Sequence, residues 1–259
     1  MKCNCGHEFE PEVQYRHRIV CGDSTDKEVV AAVMDGEKAI AMWTDPPYGV
    51  SYVGKTKNEL VIGNDGAKDL PDLLRRAFAT VTDFLEPGSP FYIAAPAGPM
   101  GTVFRLALQE AEWRFHQALV WVKSSMVLGH SDYHYRHEDI LYGWTPGQGR
   151  SGRGDHAGSK WYGDHCQTTV LEHDKPSRNE EHPTMKPISL ILQCLSNSTA
   201  AGHLVIDPFL GSGSTLIACE RTNRRCRGVE LAPKYLAVCL ERFFAETGLT
   251  PVRVVEQDT

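Results

Sequence analysis

One stretch near the C-terminal end of the chain limits the folds open to it. The apolar run Leu204-Val205-Ile206 passes without a break into Asp207-Pro208-Phe209-Leu210-Gly211-Ser212-Gly213, and Ser214-Thr215 then opens a helical pattern. A strand that turns through glycines into a helix is a βα unit, and such units build open sheets with helices packed on them. The glycines let a ligand approach the backbone closely, and the first helical turn offers unpaired N–H groups to a negative group. Glu230 follows 17 residues after Gly213, at the end of the next strand pattern, where a carboxylate can accept hydrogen bonds from a ribose diol. Asp207, Pro208, Phe209, Gly211, Ser212, Gly213, Thr215 and Glu230 are accordingly the candidate contacts for a nucleoside. A lone glycine pair would read as an ordinary βα turn; the acid at the following strand end argues for a binding site.

The same rhythm runs through most of the chain. Apolar runs and alternation predict strands at 19–21, 39–44, 90–95, 115–122, 139–144, 204–206 and 227–230. Helical spacing predicts helices at 26–34, 70–85, 100–110, 188–195, 214–221 and from 233 to about 246, the last with Leu236, Leu240 and Phe243 on one face. The alternation favours a mostly parallel sheet covered on both faces. Two segments depart from it. Residues 52–66 are polar and punctuated by glycine, as in a mobile lid, and residues 145–181 carry six glycines between Gly147 and Gly163. The second is read as an insertion that meets a partner, with no regular helix or strand through most of it. Residues 1–15 form an N-terminal appendage, 16–247 the main domain and 248–259 a C-terminal tail.

A second motif stands at another strand end. Asp45-Pro46-Pro47-Tyr48 follows the strand at 39–44, and two successive prolines cannot donate to a sheet, so the motif is a stiff loop. Its residue types suit one kind of chemistry. An exocyclic amine of a nucleobase is a poor nucleophile because its lone pair is delocalised into the ring. A carboxylate and a backbone carbonyl that accept both N–H groups favour an electron-rich nitrogen and aim its lone pair; Asp45 and the Pro46 carbonyl fit that role. Tyr48 offers a flat face on which an extruded base can stack. Alone, the tetrad could be a proline-rich turn with a capping Asp; beside the glycine turn it is specific.

Together the two motifs resemble the S-adenosylmethionine-dependent amino-methyltransferases of DNA, over roughly residues 16–244 with 145–181 loosely matched. Because the tetrad precedes the glycine motif, the chain is similar to the β group, in which the catalytic half comes first. The resemblance implies an α/β, Rossmann-like methyltransferase fold, circularly permuted, with a small recognition insertion at 145–181. It implies S-adenosylmethionine as cofactor, double-stranded DNA as partner, a homodimer and a cognate restriction enzyme as family-level expectations, and adenine N6 as the acceptor, since cytosine-N4 members typically begin the tetrad with Ser. It gives Asp45, Pro46, Pro47 and Tyr48 the catalytic role. It adds to the cofactor contacts Asp23, in a strand-end Gly-Asp pair, and Thr184 and Lys186 from His182-Pro183-Thr184-Met185-Lys186-Pro187, which departs from the family pattern in having Met185 for Gln. Lys186 is offered to the cofactor carboxylate, with a surface lysine leading the next helix as the plainer alternative. The alternatives of function are cytosine-N4 or RNA adenine methylation and a catalytically idle nucleic-acid-binding module. A nicotinamide oxidoreductase shares the glycine-and-acid logic but leaves the tetrad without a purpose.

Composition sets the outer limits. With 41% hydrophobic and 23% charged residues the chain suits a packed core, which excludes fibrous and disordered classes. A formal charge of −6 excludes binding by bulk charge but not an enzyme with a local basic face. Arg150, Arg153, Lys160 and Trp161, in the insertion, are the candidate DNA contacts. The chain has no Pro-Cys dipeptide, so the covalent thiolate route to cytosine C5 lacks a nucleophile. The eight cysteines are mostly scattered, as in a reducing compartment, and a cytoplasmic location is expected. Cys3, Cys5 and His7 look like a worn zinc knuckle, too short for the usual turn, and seven of the eleven histidines fall between His130 and His182 without a completing ligand. No metal is expected. Trp43 and Trp121, within apolar strand patterns, are expected in the core.

Overall fold

The computed structural model describes residues 16–49, 68–126, 128, 132–147, 161–174 and 185–253. The expected lid at 52–66, the Cys3, Cys5 and His7 group, Arg150, Arg153, Lys160 and Thr184 lie outside the described residues. In chain order the elements are β1 (Arg18–Cys21), α1 (Lys27–Met34), β2 (Ala41–Thr44), α2 (Leu70–Thr82), β3 (Pro90–Ala95), α3 (Gly101–Glu110) and β4 (Arg114–Val122). There follow β5 (His137–Trp144), β6 (Val170–Glu172), α4 (Ile188–Ser198), β7 (Leu204–Asp207), α5 (Ser214–Arg221), β8 (Arg225–Glu230) and α6 (Pro233–Thr247).

The strands form one sheet of eight in the order β1-β8-β7-β2-β3-β5-β4-β6. The five from β1 to β3 are parallel; β5 runs against both β3 and β4, and β6 is parallel to β4. The α/β sheet is therefore mostly parallel, with β5 as its one reversed strand among those described. This reversal has a positional consequence: the amino end of β5 lies at the same edge as the carboxyl ends of all the others.

Alternation along the strands divides the core. Met42, Phe91, Ile93, Leu141, Leu204 and Ile206 face α1, α2 and α3, while Trp43, Tyr92, Ile140, Tyr142 and Val205 face α4, α5 and α6. Three helices on each face remove both sides of the sheet from water, which is why its strands read as unbroken apolar runs. Trp43 and Trp121 are buried, as expected.

Several boundaries moved for identifiable reasons. The second helix ends at Thr82, short of Leu85, because Leu85 leaves the helix to bridge Ala39 beside β2. Helix α4 continues to Ser198, past the expected end at 195, held by a buried 2.6 Å hydrogen bond between the Ser198 and Tyr92 hydroxyls. Its final Ser-Asn-Ser has low helical preference, and the tertiary contact overrides it. Strand β6 is a correction to the reading of 145–181: three residues pair with β4 where none was expected. In α6 the buried side chain is Cys239, and the expected face of Leu236, Leu240 and Phe243 is only half-buried.

Candidate active site

Four neighbouring strands end in the residues singled out from sequence. Across the sheet edge lie Gly22-Asp23 after β1, Glu230 at the end of β8, the glycine turn after β7, and Asp45 to Tyr48 after β2. At about 4.8 Å per strand the row spans roughly 14 Å, the length of a nucleoside with an extended substituent. Ligands in open α/β sheets bind at this carboxyl edge.

Hydrogen bonds tie the row together. The Thr44 hydroxyl donates to Asp207 Oδ1 at 2.8 Å, joining the base of the catalytic loop to the base of the glycine turn. Thr215 Oγ1 donates to Asp207 Oδ2 at 2.6 Å and the Phe209 N–H to Oδ1 at 3.1 Å, so Asp207 shapes the turn from beneath. Burial pushes the Asp207 carboxyl up to about 7, against the pull of these three donors. Glu230 accepts the N–H groups of Gly211 and Ala232, each at 2.8 Å, and the Gly22 N–H donates to its backbone carbonyl at 3.0 Å. Burial raises the Glu230 carboxyl above the usual range, with the two N–H groups opposing. Each of its oxygens has a second lone pair for a diol. Asp23 Oδ1 accepts the Thr25 N–H, closing a tight turn beside Glu230.

The two glycines of the turn have different tasks. Gly211 has a φ of 55° and nothing within 4 Å of the position a Cβ would take, so its face is open to a ligand. Gly213 has a φ of 84°, and a Cβ there would stand 2.4 Å from Cys239 Sγ on α6. The expectation that both admit a ligand is corrected at Gly213: its bare backbone admits α6. Ser212 is also occupied, its carbonyl and hydroxyl accepting from Arg242 at 2.5 and 2.9 Å.

At the catalytic tetrad, the Lys186 ammonium donates to both oxygens of Asp45, at 2.7 and 2.8 Å. It also lies 3.1 Å from Glu138 Oε2 and 5.0 Å from the centre of the Tyr48 ring. Lys186 is 8% exposed, so the surface alternative fails, and the group it meets in this structure is the catalytic carboxylate. The Tyr48 hydroxyl donates to Glu138 Oε2 at 2.8 Å, and its ring stands edge-on to Phe104. Burial raises the Asp45 carboxyl, an effect Lys186 opposes and Glu138 reinforces. Burial also works to raise Glu138, but the Lys186 and Lys123 ammonium groups outweigh it and hold that carboxyl at about 2. Lys186 is desolvated too, yet its two carboxylates keep it protonated well above the ordinary lysine range.

Comparison with known proteins matches this arrangement to a family. The family of the N6/N4 methyltransferases, described as "DNA methylase", matches residues 41–241, which include the tetrad, Lys186, the glycine turn and Glu230. The chain belongs to this family. Among curated relatives of this DNA methylase, the type II methyltransferase M.HpaI of Haemophilus parainfluenzae is 23% identical over 78% of the chain and 67% of its own length. M.XycI of Xanthomonas campestris pv. cyanopsidis is 30% identical over 57% of the chain, which spans about half of that relative (51%). The fold is shared with the DNA modification methylase TTHA0409 of Thermus thermophilus, at a TM-score of 0.64 and 23% identity over 89% of this chain and 95% of that one. It is shared with the cytosine-N4-specific PvuII DNA methyltransferase as well, at a TM-score of 0.65 and 16% identity over 88% and 86%.

The methylase also has parts that sequence reasoning misplaced or missed. Because β5 is reversed, residues 145–147 leave it at the amino edge of the sheet, where the Thr145 N–H and the Ser89 carbonyl pair at 2.9 Å. Trp161 and Tyr162 are at that edge too. The Tyr162 N–H donates to the carbonyl of Asn197, at the far end of α4, and its ring meets His203 just before β7. Trp161 Nε1 donates to the Asp164 carbonyl at 3.1 Å. Helix α4 starts beside Lys186 and is 11 residues long, so this end lies about 16 Å from the tetrad. From there the segment climbs along α4, through Gln167 and then His173, whose ring nitrogens lie 3.0 and 2.7 Å from Ser189 Oγ and Gln193 Oε1, back to the carboxyl edge. Glu138 and Lys123 were missed outright. Their one signal was the charged start, His137-Glu138-Asp139, of an otherwise apolar strand.

Proposed function

We propose that the chain transfers the methyl group of S-adenosylmethionine to the N6 amine of an adenine turned out of duplex DNA. The observation that carries this reading is the Thr44–Asp207 hydrogen bond, which sets the strand end bearing Asp45 directly beside the strand end bearing the nucleoside turn. A donor held by the second reaches an acceptor held by the first without further parts. A structure of TTHA0409 is complexed with S-adenosyl-L-methionine, which supports the same cofactor here. The residues present fit it. Gly211 leaves open space over the turn, Glu230 has acceptor capacity for a ribose, and Asp23 stands beside it for the adenine end.

When bound, this cofactor supplies an electrophilic methyl group on a sulfonium, a leaving group that needs no proton. The chain's own residues supply orientation. Asp45 and the Pro46 carbonyl accept the two N–H groups of the amine and aim its lone pair; the prolines keep the acceptors from relaxing away. Burial, which raises the Asp45 carboxyl, suits it to take the proton that the nitrogen sheds. Tyr48 supports the face of the base. Asp at the head of the tetrad supports adenine. The likeness of fold to the cytosine-N4-specific PvuII enzyme makes cytosine N4 the second reading. A cognate restriction endonuclease is the partner that the type II relatives suggest.

The test is incubation with labelled S-adenosylmethionine and unmethylated duplex DNA, followed by digestion to nucleosides and mass spectrometry. N6-methyldeoxyadenosine is expected; N4-methyldeoxycytidine would transfer the assignment to the second reading. Asp45→Ala should lower turnover by about 10³-fold or more while cofactor affinity, read by calorimetry, changes by less than about threefold. Retained turnover would remove Asp45 from the mechanism.

A further inference from the structure

We propose that Glu138 is a positioning residue for this transfer, fixing through one carboxylate both the Tyr48 hydroxyl and the Lys186 ammonium that orients Asp45. The proposal rests on the methyl-transfer reading above. Glu138 stands at the amino end of the reversed strand β5, two strands away from β2, and reaches the tetrad because β5 begins where its neighbours end. Its Oε2 accepts the Tyr48 hydroxyl at 2.8 Å and lies 3.1 Å from Lys186 Nζ, while Oε1 is 2.5 Å from Lys123 Nζ. The carboxylate is 16% exposed, so these contacts are made largely away from water.

The count of hydrogen bonds shows what Glu138 contributes. A lysine ammonium has three N–H donors. Two of the Lys186 contacts are to Asp45 and the third is to Glu138. Without the third, the ammonium would be free to swing with Asp45, and the acceptor oxygens would no longer point to one place. The Tyr48 ring loses its tether in the same change, since its hydroxyl shares the same oxygen. One side chain thus sets both the carboxylate that receives the amine and the ring that supports the base. Charge is balanced in the cluster, with Lys186 and Lys123 against Asp45 and Glu138; Asp207, through Thr44, is the next ionisable neighbour.

Glu138→Gln tests this, because the amide keeps size and one acceptor oxygen but discards the charge. In the full chain, single-turnover transfer from labelled S-adenosylmethionine to unmethylated duplex DNA should slow by roughly 10²-fold, with cofactor affinity little changed. The pH profile supplies a readout that a structural role alone would not move. The Glu138 charge raises the Asp45 carboxyl, so its removal should shift the acid limb of the rate profile to lower pH. Tyr48→Phe should slow transfer as well, and the double variant should be less impaired than the product of the two single effects. Wild-type rate in Glu138→Gln would overturn the proposal, as would a slowed rate with an unmoved acid limb. If Glu138→Gln does not fold, full activity in Tyr48→Phe decides against the tether. A wild-type chain that transfers no methyl group to any base sinks the functional reading and this proposal together, whereas active wild type with an equally active variant sinks this one alone.

Discussion

Asp207 and Glu138 stand at the same sheet edge, and burial works to raise both carboxyls, yet they end at opposite extremes. Asp207 is offered only neutral donors, two hydroxyls and a backbone N–H, and rises to about 7; Glu138 faces two ammonium groups and falls to about 2. Desolvation wins where no charge answers it. For Asp207 this has a signed consequence. A carboxyl whose folded value exceeds its unfolded one binds more protons when folded, so its contribution to stability falls as pH rises from about 4 to about 7. Asp207→Asn abolishes that titration. The amide cannot accept both hydroxyls, so the variant should be less stable than wild type at pH 5, by about 1 kcal/mol. By pH 8 the gap should close or reverse, because the wild type then carries a buried charge costing on the order of a few kcal/mol. Thermal unfolding of the ligand-free chain at the two pH values reads the difference, and a gap independent of pH would contradict the assignment. Asp45 and Lys186 were each legible as single residues within motifs. Their pairing was not, because 141 residues separate them and spacing carries no information over that distance.

At the scale of elements, the βα unit around α5 illustrates why a glycine motif can be found in sequence while its parts are misread. Strand, turn and helix followed from the apolar run and the glycines. Which glycine faces a ligand depends on α6, an element that returns from further along the chain. Gly213→Ala should destabilise the fold by roughly 2–4 kcal/mol, combining left-handed strain with the clash against Cys239. Gly211→Ala should cost only about 1 kcal/mol in stability but weaken S-adenosylmethionine binding. Urea unfolding and calorimetric titration on the two variants separate these effects; equal losses of affinity would put both glycines at the ligand. Elements of ordinary length and strong pattern were legible, such as Pro90–Ala95 and Ser214–Arg221. Strand β6 was not, since three residues are too few for a periodic signal and it exists through its pairing with β4.

On the scale of the whole molecule, the reversed strand decides what lies near the site. It brings Glu138 to the tetrad and sends the following segment to the opposite edge, so that the stretch read as an insertion begins far from the chemistry. Its described second half returns along α4 as part of the domain. Trp161, taken from sequence as a DNA contact, is held at that far edge. Trp161→Ala should therefore cost about 1–2 kcal/mol of stability by loss of packing. Affinity for duplex DNA, measured by anisotropy across a salt series, should keep its magnitude and its slope. A loss of affinity of about tenfold or more would place the segment against DNA instead. Among the described residues no helix is long and apolar enough to cross a membrane.

The sequence by itself determined the class of sheet, the two strand-end motifs, their order along the chain and the family they resemble. All of these are local: a run of apolar side chains, a pair of prolines or a glycine turn has its meaning within a dozen residues. The tertiary structure decided that Lys186 meets Asp45, that Glu138 belongs to the site, that Gly213 serves α6 and that Trp161 lies on the far edge. Each of these depends on which strand lies beside which and in what direction. Those choices are made by burying both faces of one eight-stranded sheet at once, a condition that no single stretch of the chain contains.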